Sequence, residues 1–155
     1  MSYDQRLKEL GVELPAAPKP VANYVPAVRT GRLLFLSGVL PMREGRLSCT
    51  GKLGKDLTVE QGADAAQLAL LNALAIVKSE LGSLERVAKV VRLTGHVASA
   101  EGFAQQPAVI NGASDLLVAL FGDHGRHARV AVGAAELPLH APVELELIIE
   151  FSPDA

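Results

Sequence analysis

Three residue types in this chain could handle a small organic acid and its protons. Arg129 carries a planar guanidinium, which can hold a carboxylate by two parallel hydrogen bonds, whereas a lysine acts only as a point charge. Glu144 and Glu146 carry carboxylates that can orient a water molecule and transfer protons. Tyr24 offers a hydroxyl on an apolar ring. Each also has a structural interpretation, as a surface arginine, a solvated carboxylate or an interface tyrosine.

The elements that must position these residues are strands in the second half of the chain. Residues 143–151 alternate with a period of two, which puts both glutamates on one face and the leucines on the other. A strand over residues 127–134 is predicted to carry Arg129, and the alternation in residues 91–97 predicts another strand with one polar face. The chemistry is therefore expected on a sheet.

Two helices are predicted between the strands. Residues 58–61 have the capping-box form Thr-Val-Glu-Gln, apolar residues then recur every three or four positions, and Gly82 suits a left-handed cap. This pattern predicts a helix over residues 59–81. A second helix is predicted over residues 100–121, and Pro107 indicates that it either begins near that residue or has separate first turns.

The first half of the chain is predicted to be mostly β. A short amphipathic helix within residues 1–12 precedes an extended, proline-rich lead-in over residues 14–20. A hairpin follows from Tyr24 to Ser37, turning at Thr30-Gly31, and residues 46–49 suit a short third strand.

The element order β-β-(β)-α-β-α-β-β predicts an α+β fold in which two helices cover one face of a mostly antiparallel sheet. The other face must be buried in another way, so self-association is expected. We interpret residues 1–155 as a single domain, with residues 1–20 as an N-terminal extension.

Composition narrows the function classes. With 155 residues, 49% hydrophobic and 21% charged, the chain has the balance of one globular domain. Its net charge of −2 and its scattered basic residues argue against a nucleic-acid partner. Residues 68–77 form an apolar run too short to cross a bilayer, and the charged N-terminus lacks the pattern of a signal peptide, so a cytoplasmic location is expected. No metal is expected, because His124, His127 and His140 lack ligand spacing and Cys49 is the single cysteine.

Four stretches of the chain together resemble the Rid family (reactive intermediate deaminases, also called YjgF or L-PSP endoribonucleases). The C-terminal pair, Ala-Arg-Val-Ala-Val-Gly-Ala-Ala-Glu-Leu-Pro over residues 128–138 and Val-Glu-Leu-Glu-Leu-Ile over residues 143–148, carries most of the resemblance. Asn-Tyr-Val at residues 23–25 and Phe-Leu-Ser-Gly-Val-Leu-Pro at residues 35–41 extend it, so that it covers residues 21–151.

The resemblance implies a chorismate-mutase-like fold and a homotrimer with its sheets packed inward and three clefts between subunits. Characterised members hydrolyse reactive 2-imino acids, such as 2-aminoacrylate and 2-iminobutyrate, to 2-keto acids and ammonia without a cofactor. Others cut RNA or bind small metabolites without turnover. A small carboxylate metabolite is thus the expected partner.

The resemblance also implies roles for individual residues. Arg129 matches the family's carboxylate anchor, and Glu144 matches the glutamate that steers water. Four more residues match positions that line the same cleft: Tyr24, Ser37, Gly38 and Asn111. Residues 111–115, Asn-Gly-Ala-Ser-Asp, are poor helix formers inside a predicted helix, which indicates a local functional demand or a close contact.

One departure from the family pattern leaves alternatives open. Many imine-hydrolysing members have Ser-Cys directly after the arginine, whereas this chain has Val130-Ala131. Water can still attack an imine without that thiol, so hydrolytic deamination is the leading hypothesis. A non-catalytic, carboxylate-binding or chaperone-like trimer is the second, and an endoribonuclease, for which no basic and aromatic RNA path is visible, is the third.

Overall fold

A computed structural model describes residues 1–19 and 22–153. Within them, three α-helices accompany a five-stranded sheet and a separate two-stranded hairpin. The helices are α1 (Tyr3–Glu9), α2 (Val59–Leu81) and α3 (Gln106–Phe121). The strands are β1 (Ala27–Thr30), β2 (Leu33–Leu36), β3 (Met42–Arg43), β4 (Arg46–Leu47), β5 (Val87–Ala98), β6 (Ala128–Ala134) and β7 (Val143–Phe151).

The main sheet has the strand order β1-β2-β7-β5-β6. Every neighbouring pair is antiparallel except β5 and β6, which are parallel because α3 crosses over between them. The predicted α+β class with a mostly antiparallel sheet and two long helices on one face is confirmed. Strand β6, which carries Arg129, forms one edge of this sheet.

Helix α2 has the bounds predicted from its ends. The Thr58 hydroxyl accepts from the backbone N–H of Gln61, and the Gln61 side chain accepts from the backbone N–H of Thr58. Gly82 closes the helix in the left-handed conformation with φ at 83°. Both signals are local, which is why the sequence alone placed this helix correctly.

Helix α3 begins later than the predicted residue 100. Its first residue is Gln106, and Pro107 occupies its first turn, where the missing N–H of proline has no helical partner to lose. Residues 101–104 form a turn and a short irregular stretch, with Gly102 at a φ of +82°. The alternative in which the second helix begins near Pro107 is therefore confirmed.

Strand bounds differ from the predictions at several points. The hairpin strands are shorter than predicted and cover residues 27–30 and 33–36, because Pro26 precedes the first and the chain leaves the second at Ser37. Strand β5 extends well beyond residues 91–97 at its start. The predicted strand over residues 46–49 is the second half of the small β3-β4 hairpin, which is separate from the main sheet.

The N-terminal segment packs onto the helical layer. Leu7 of α1 is buried in the core, and the ring of Tyr3 meets that of Phe121 edge to face, 4.7 Å between centroids. Beyond α1, residues 12–19 have no regular structure, as predicted, and Leu14 packs partly buried against the core. Pro20, the last residue of the predicted lead-in, lies outside the described residues.

The two faces of the sheet have different environments. Leucine, isoleucine and valine side chains of β2, β5 and β7 are buried beneath α2 and α3. On the opposite face, which we call the open face, Val28, Phe35 and Ile148 form one cross-strand row, with Val28 54% exposed. Val132 is a further exposed apolar residue of this face. The open face thus combines an apolar row on β1, β2 and β7 with the polar side chains of Glu144, Glu146 and His96.

Candidate functional site

Arg129 lies on the helix-facing side of β6, in register with the buried Leu93. Its Nη1 donates hydrogen bonds to Asn111 Oδ1 at 2.8 Å and to Ser114 Oγ at 3.0 Å. Its Nη2 donates to the carbonyl oxygen of Pro107 at 3.2 Å. All three acceptors belong to α3, so this helix holds the guanidinium at the edge of the sheet.

The cradle on α3 leaves part of the guanidinium available. An arginine side chain has five N–H donors, and the three hydrogen bonds to α3 occupy three of them. Within the described residues, Nε and one N–H of Nη2 have no partner. This pair of donors matches the two oxygens of a carboxylate. The geometry therefore suits a two-point grip on an acid group.

The unfavourable helix sequence of residues 111–115 has two structural reasons. Asn111 and Ser114 place their polar side chains on Arg129. Gly112 lies where α3 crosses α2 so closely that a β-carbon would collide with the carbonyl oxygen of Ala63. The close contact that the sequence indicated is therefore present, and the polar side chains of Asn111 and Ser114 hold Arg129.

Glu144 belongs to a second cluster, on the open face of the sheet. Its half-buried carboxylate lies against Gly38, at a place that a β-carbon on Gly38 would occupy. Next to Gly38, the Ser37 hydroxyl donates to the carbonyl oxygen of Val25 at 2.6 Å. Tyr24, which precedes Val25 in the chain, is 44% exposed. The structure therefore brings Ser37, Gly38 and Glu144 together, and Tyr24 lines the same surface groove as Ser37 and Gly38.

A groove of about 1280 Å³ leads away from this second cluster. Tyr24, Ser37 and Gly38 line one end of it. Its walls are the N-terminal residues 11–19, one side of α2 and the β3-β4 hairpin. Cys49 lines the groove and is partly buried. The N-terminal extension thus shapes a surface that is continuous with the Glu144 cluster.

The Glu144 carboxyl has a perturbed pKa. Burial raises this pKa above its ordinary value, the nearby Glu146 carboxylate raises it further, and the charge of His96 opposes both effects. His96 is the cross-strand partner of Glu144, and its Nε2 lies 2.7 Å from Glu146 Oε2. Sequence reasoning did not single out His96. The available signal was its place among the outward-facing residues of the strand.

The two clusters do not meet within one chain. Arg129 of β6 is paired with Leu93 along one edge of β5, whereas Glu144 of β7 is paired with His96 along the opposite edge of β5. The offset is about 10 Å along the strands and about 10 Å across them. Their side chains also point to opposite faces. One chain therefore carries two separate clusters, which we call the Arg129 half-site (Arg129, Asn111, Ser114) and the Glu144 half-site (Glu144, Gly38, Ser37, Tyr24).

Within residues 1–19 and 22–153, no group of three or more histidine, cysteine or acidic side chains is arranged to bind a metal ion. In the same part of the chain, none of the helices combines the length and the apolar character that crossing a bilayer requires.

Comparison with known proteins places the chain in a family. Residues 4–151 match the family model described as "YjgF/chorismate mutase-like, putative endoribonuclease". Protein TCP17 of Trypanosoma cruzi is 44% identical over 147 residues, which cover 94% of this chain and 92% of that protein. A 2-iminobutanoate/2-iminopropanoate deaminase of Dermatophagoides farinae is 30% identical over 139 residues, or 89% and 93% of the two chains.

Solved structures agree with this match. The Agrobacterium tumefaciens protein Atu1372, of unknown function, is 46% identical with a TM-score of 0.89, covering 97% of this chain and 92% of that one. TdcF of E. coli, solved with bound serine, is 26% identical with a TM-score of 0.64, covering 88% and 94%. The strand order, the two long helices and the family match lead to one conclusion: the chain belongs to the YjgF/chorismate mutase-like family, also known as the Rid family.

Proposed function

We propose that this protein hydrolyses reactive 2-imino acids and their enamine tautomers to 2-keto acids and ammonia, in clefts between the subunits of a homotrimer. The observation that carries the proposal is the Arg129 guanidinium, held by α3 with two N–H donors free within the described residues. Such a pair recognises a carboxylate, and every 2-imino acid has one beside its reacting carbon.

The chemistry requires a water and groups that move protons. Arg129 binds the carboxylate and so positions the neighbouring imine carbon. Glu144 of another copy of the chain orients a water and accepts its proton as the oxygen bonds to that carbon. Glu144 returns that proton to the imine nitrogen, giving a carbinolamine. The hydroxyl proton of this intermediate then moves to the nitrogen as the C–N bond breaks, so that ammonia leaves and the carbon becomes the keto carbon. One water enters and one ammonia leaves, so the reaction needs no cofactor.

The open face supports assembly. Val28, Phe35 and Val132 are apolar and exposed on it, and removing their side chains from water would favour association. Packing the open faces of several copies together would bury these side chains. It would also bring the Glu144 half-site near the edge of a neighbouring sheet, where an Arg129 half-site lies.

The relatives support a small amino-acid-like ligand. The Dermatophagoides farinae relative is named a deaminase of 2-iminobutanoate and 2-iminopropanoate, and TdcF has been solved with bound serine. Both kinds of molecule have a carboxylate next to a carbon that bears nitrogen. This shared feature is the one that the Arg129 half-site is suited to hold.

A second candidate is binding of a small carboxylate without turnover. Ala131 lies two positions beyond Arg129 on the same side of β6 and presents a methyl group where many imine-hydrolysing members have a thiol. A pocket lined by this methyl group instead of a thiol could still bind a carboxylate, but it would lack one contact that favours imine hydrolysis. This candidate ranks second because water is the attacking group in the proposed hydrolysis, which therefore does not require the thiol.

The test is a coupled assay in which an amino acid oxidase generates 2-iminobutyrate and the loss of the imine is followed. Wild-type protein should accelerate this loss, and Arg129→Ala should lower kcat/KM by at least about 100-fold, because two charge-assisted hydrogen bonds are lost. Arg126→Ala is the matched control, since Arg126 is a highly exposed neighbour. Equal rates for wild type and Arg129→Ala would refute the proposal.

The same preparations distinguish the second candidate. If wild-type protein shows a rise in Tm with 2-ketobutyrate that Arg129→Ala lacks, and neither protein accelerates imine loss, carboxylate binding without turnover is the better description. RNA cleavage that survives repurification and disappears in Arg129→Ala would instead favour an endoribonuclease.

A further inference from the structure

A chain of hydrogen bonds continues behind Arg129, away from the face that a ligand would contact. Ser114 Oγ accepts from Arg129 Nη1 and lies 2.9 Å from His127 Nε2. His127 Nδ1 lies 2.6 Å from the carbonyl oxygen of Gly125. Four residues are thus connected in a line that begins at the guanidinium and ends at a backbone carbonyl.

The direction of each hydrogen bond follows from the chemistry of its ends. A carbonyl oxygen only accepts, so His127 must carry a proton on Nδ1. In a neutral imidazole with Nδ1–H, Nε2 is an acceptor, and the Ser114 hydroxyl donates its proton there. In the doubly protonated ring, Ser114 Oγ would accept from both Nε2 and Arg129, and its own proton would have no acceptor among the described residues. A lone pair of the same hydroxyl then remains to accept from Arg129. Arg129 thus donates to Ser114, Ser114 donates to His127, and His127 donates to Gly125. Each donor in this line has one acceptor.

The elements around His127 hold this line in place. Gly125 is buried and so close to α3 that a β-carbon would collide with the carbonyl oxygen of Leu117. The Gly125 carbonyl therefore has little freedom. A serine inside a helix commonly bonds to the carbonyl one turn earlier, but Ser114 reaches His127, which lies just before β6. His127 itself is partly buried.

We propose that His127 is a positioning residue for Arg129: as a neutral imidazole protonated on Nδ1, it orients the Ser114 hydroxyl, which holds the guanidinium ready for a carboxylate. The reference to a carboxylate rests on the proposed function. The hydrogen-bonded relay itself can be tested without any turnover.

The first test is ¹⁵N NMR of histidine-labelled protein at neutral pH. His127 should be neutral with its proton on Nδ1, and its assignment follows from the loss of one signal in His127→Gln. Nitrogen-15 relaxation of the Arg129 side chain should show an ordered guanidinium in wild type and a more mobile one in Ser114→Ala. A His127 proton on Nε2, or an equally ordered Arg129 in Ser114→Ala, would overturn the inference, whether or not the protein hydrolyses imines.

The second test is calorimetric binding of 2-ketobutyrate. His127→Leu should weaken binding by about three- to tenfold, the effect of one lost hydrogen bond, and Ser114→Ala should do the same without adding to it. His127→Gln should restore affinity, because its amide oxygen can accept from Ser114 while its amide N–H donates to Gly125. His124→Leu, in the exposed part of the same turn, is the control.

The outcomes of the binding test are separable. If wild-type protein binds and His127→Leu binds equally well, or if His127→Gln fails to recover affinity, the positioning role is wrong while the proposed function stands. If wild-type protein neither binds 2-ketobutyrate nor consumes imine, the proposed function fails, and the NMR result still decides whether the relay exists.

Discussion

Arg129 and Glu144 occupy opposite faces of one sheet, with strand β5 between the strands that carry them. A small acid held by the first residue is therefore out of reach of the second within the same chain. If both act on one molecule, the two must come from different copies. This arrangement makes the proposed site dependent on assembly in a way that can be measured.

We predict that two inactive variants will complement each other. Arg129→Ala retains an intact Glu144 half-site, and Glu144→Gln retains an intact Arg129 half-site. Co-expression should form mixed assemblies in which about one quarter of the interfaces pair two intact half-sites. Activity should therefore recover to about one quarter of the wild-type value, as measured by the imine assay on purified mixed protein.

The control for complementation mixes two variants of the same half-site. Arg129→Ala with Asn111→Leu should recover less, because their changes affect the same side of the cleft and Asn111 contacts Arg129 directly. If the pair Arg129→Ala and Glu144→Gln stays inactive although mixed assemblies form, the composite site is wrong.

The sequence predicted best the features that depend on neighbours in the chain. The capping box and Gly82 define α2, and the period-two alternation places Glu144 and Glu146 on one face. The predicted start of α3, residue 100, is wrong because the residues just before Gln106 form a turn and an irregular stretch. Their apolar pattern does not distinguish these from a helix. His127 was interpreted as a loop or strand residue because its partner, Ser114, is brought to it only by the packing of α3 against β6.

We predict that Phe35→Asp will disrupt assembly. Phe35 is 39% exposed on the open face, and an unpaired charge in an apolar interface costs about 3 kcal/mol or more. Analytical ultracentrifugation should show trimers for wild type and smaller species for the variant. Val118→Asp is a matched control, because Val118 is 37% exposed but lies on α3, on the other side of the molecule. If Phe35→Asp and Val118→Asp assemble equally well, the open face is not the surface through which the copies associate.

A pair of variants should move the acid limb of the pH–rate profile in opposite directions. The proposed reaction needs ionised Glu144, so the rate falls as the pH drops through its pKa. His96 lowers that pKa and Glu146 raises it. His96→Leu should therefore shift the limb of kcat/KM to higher pH, and Glu146→Gln should shift it to lower pH. Shifts in the same direction, or none, would show that Glu144 does not set this limb.

Gly38→Ala should separate activity from stability. The new β-carbon would occupy the place of the Glu144 carboxylate, which is the end of a flexible side chain and can swing aside. We therefore expect a free energy of unfolding within about 0.5 kcal/mol of wild type. The displaced carboxylate should lower kcat by up to about 100-fold, because proton transfer depends closely on position. Imine assays and urea unfolding measure the two quantities.

Gly112→Ala provides the contrast that interprets the Gly38 result. Its β-carbon would meet the backbone carbonyl of Ala63, which cannot move without shifting α2. Although alanine is the better helix former by about 1 kcal/mol, this overlap should destabilise the protein by about 1–3 kcal/mol. The same kind of substitution should thus reduce activity at Gly38 and stability at Gly112. If Gly38→Ala is as unstable as Gly112→Ala, then Gly38 has a structural role, and its effect on activity says nothing about where the Glu144 carboxylate must lie.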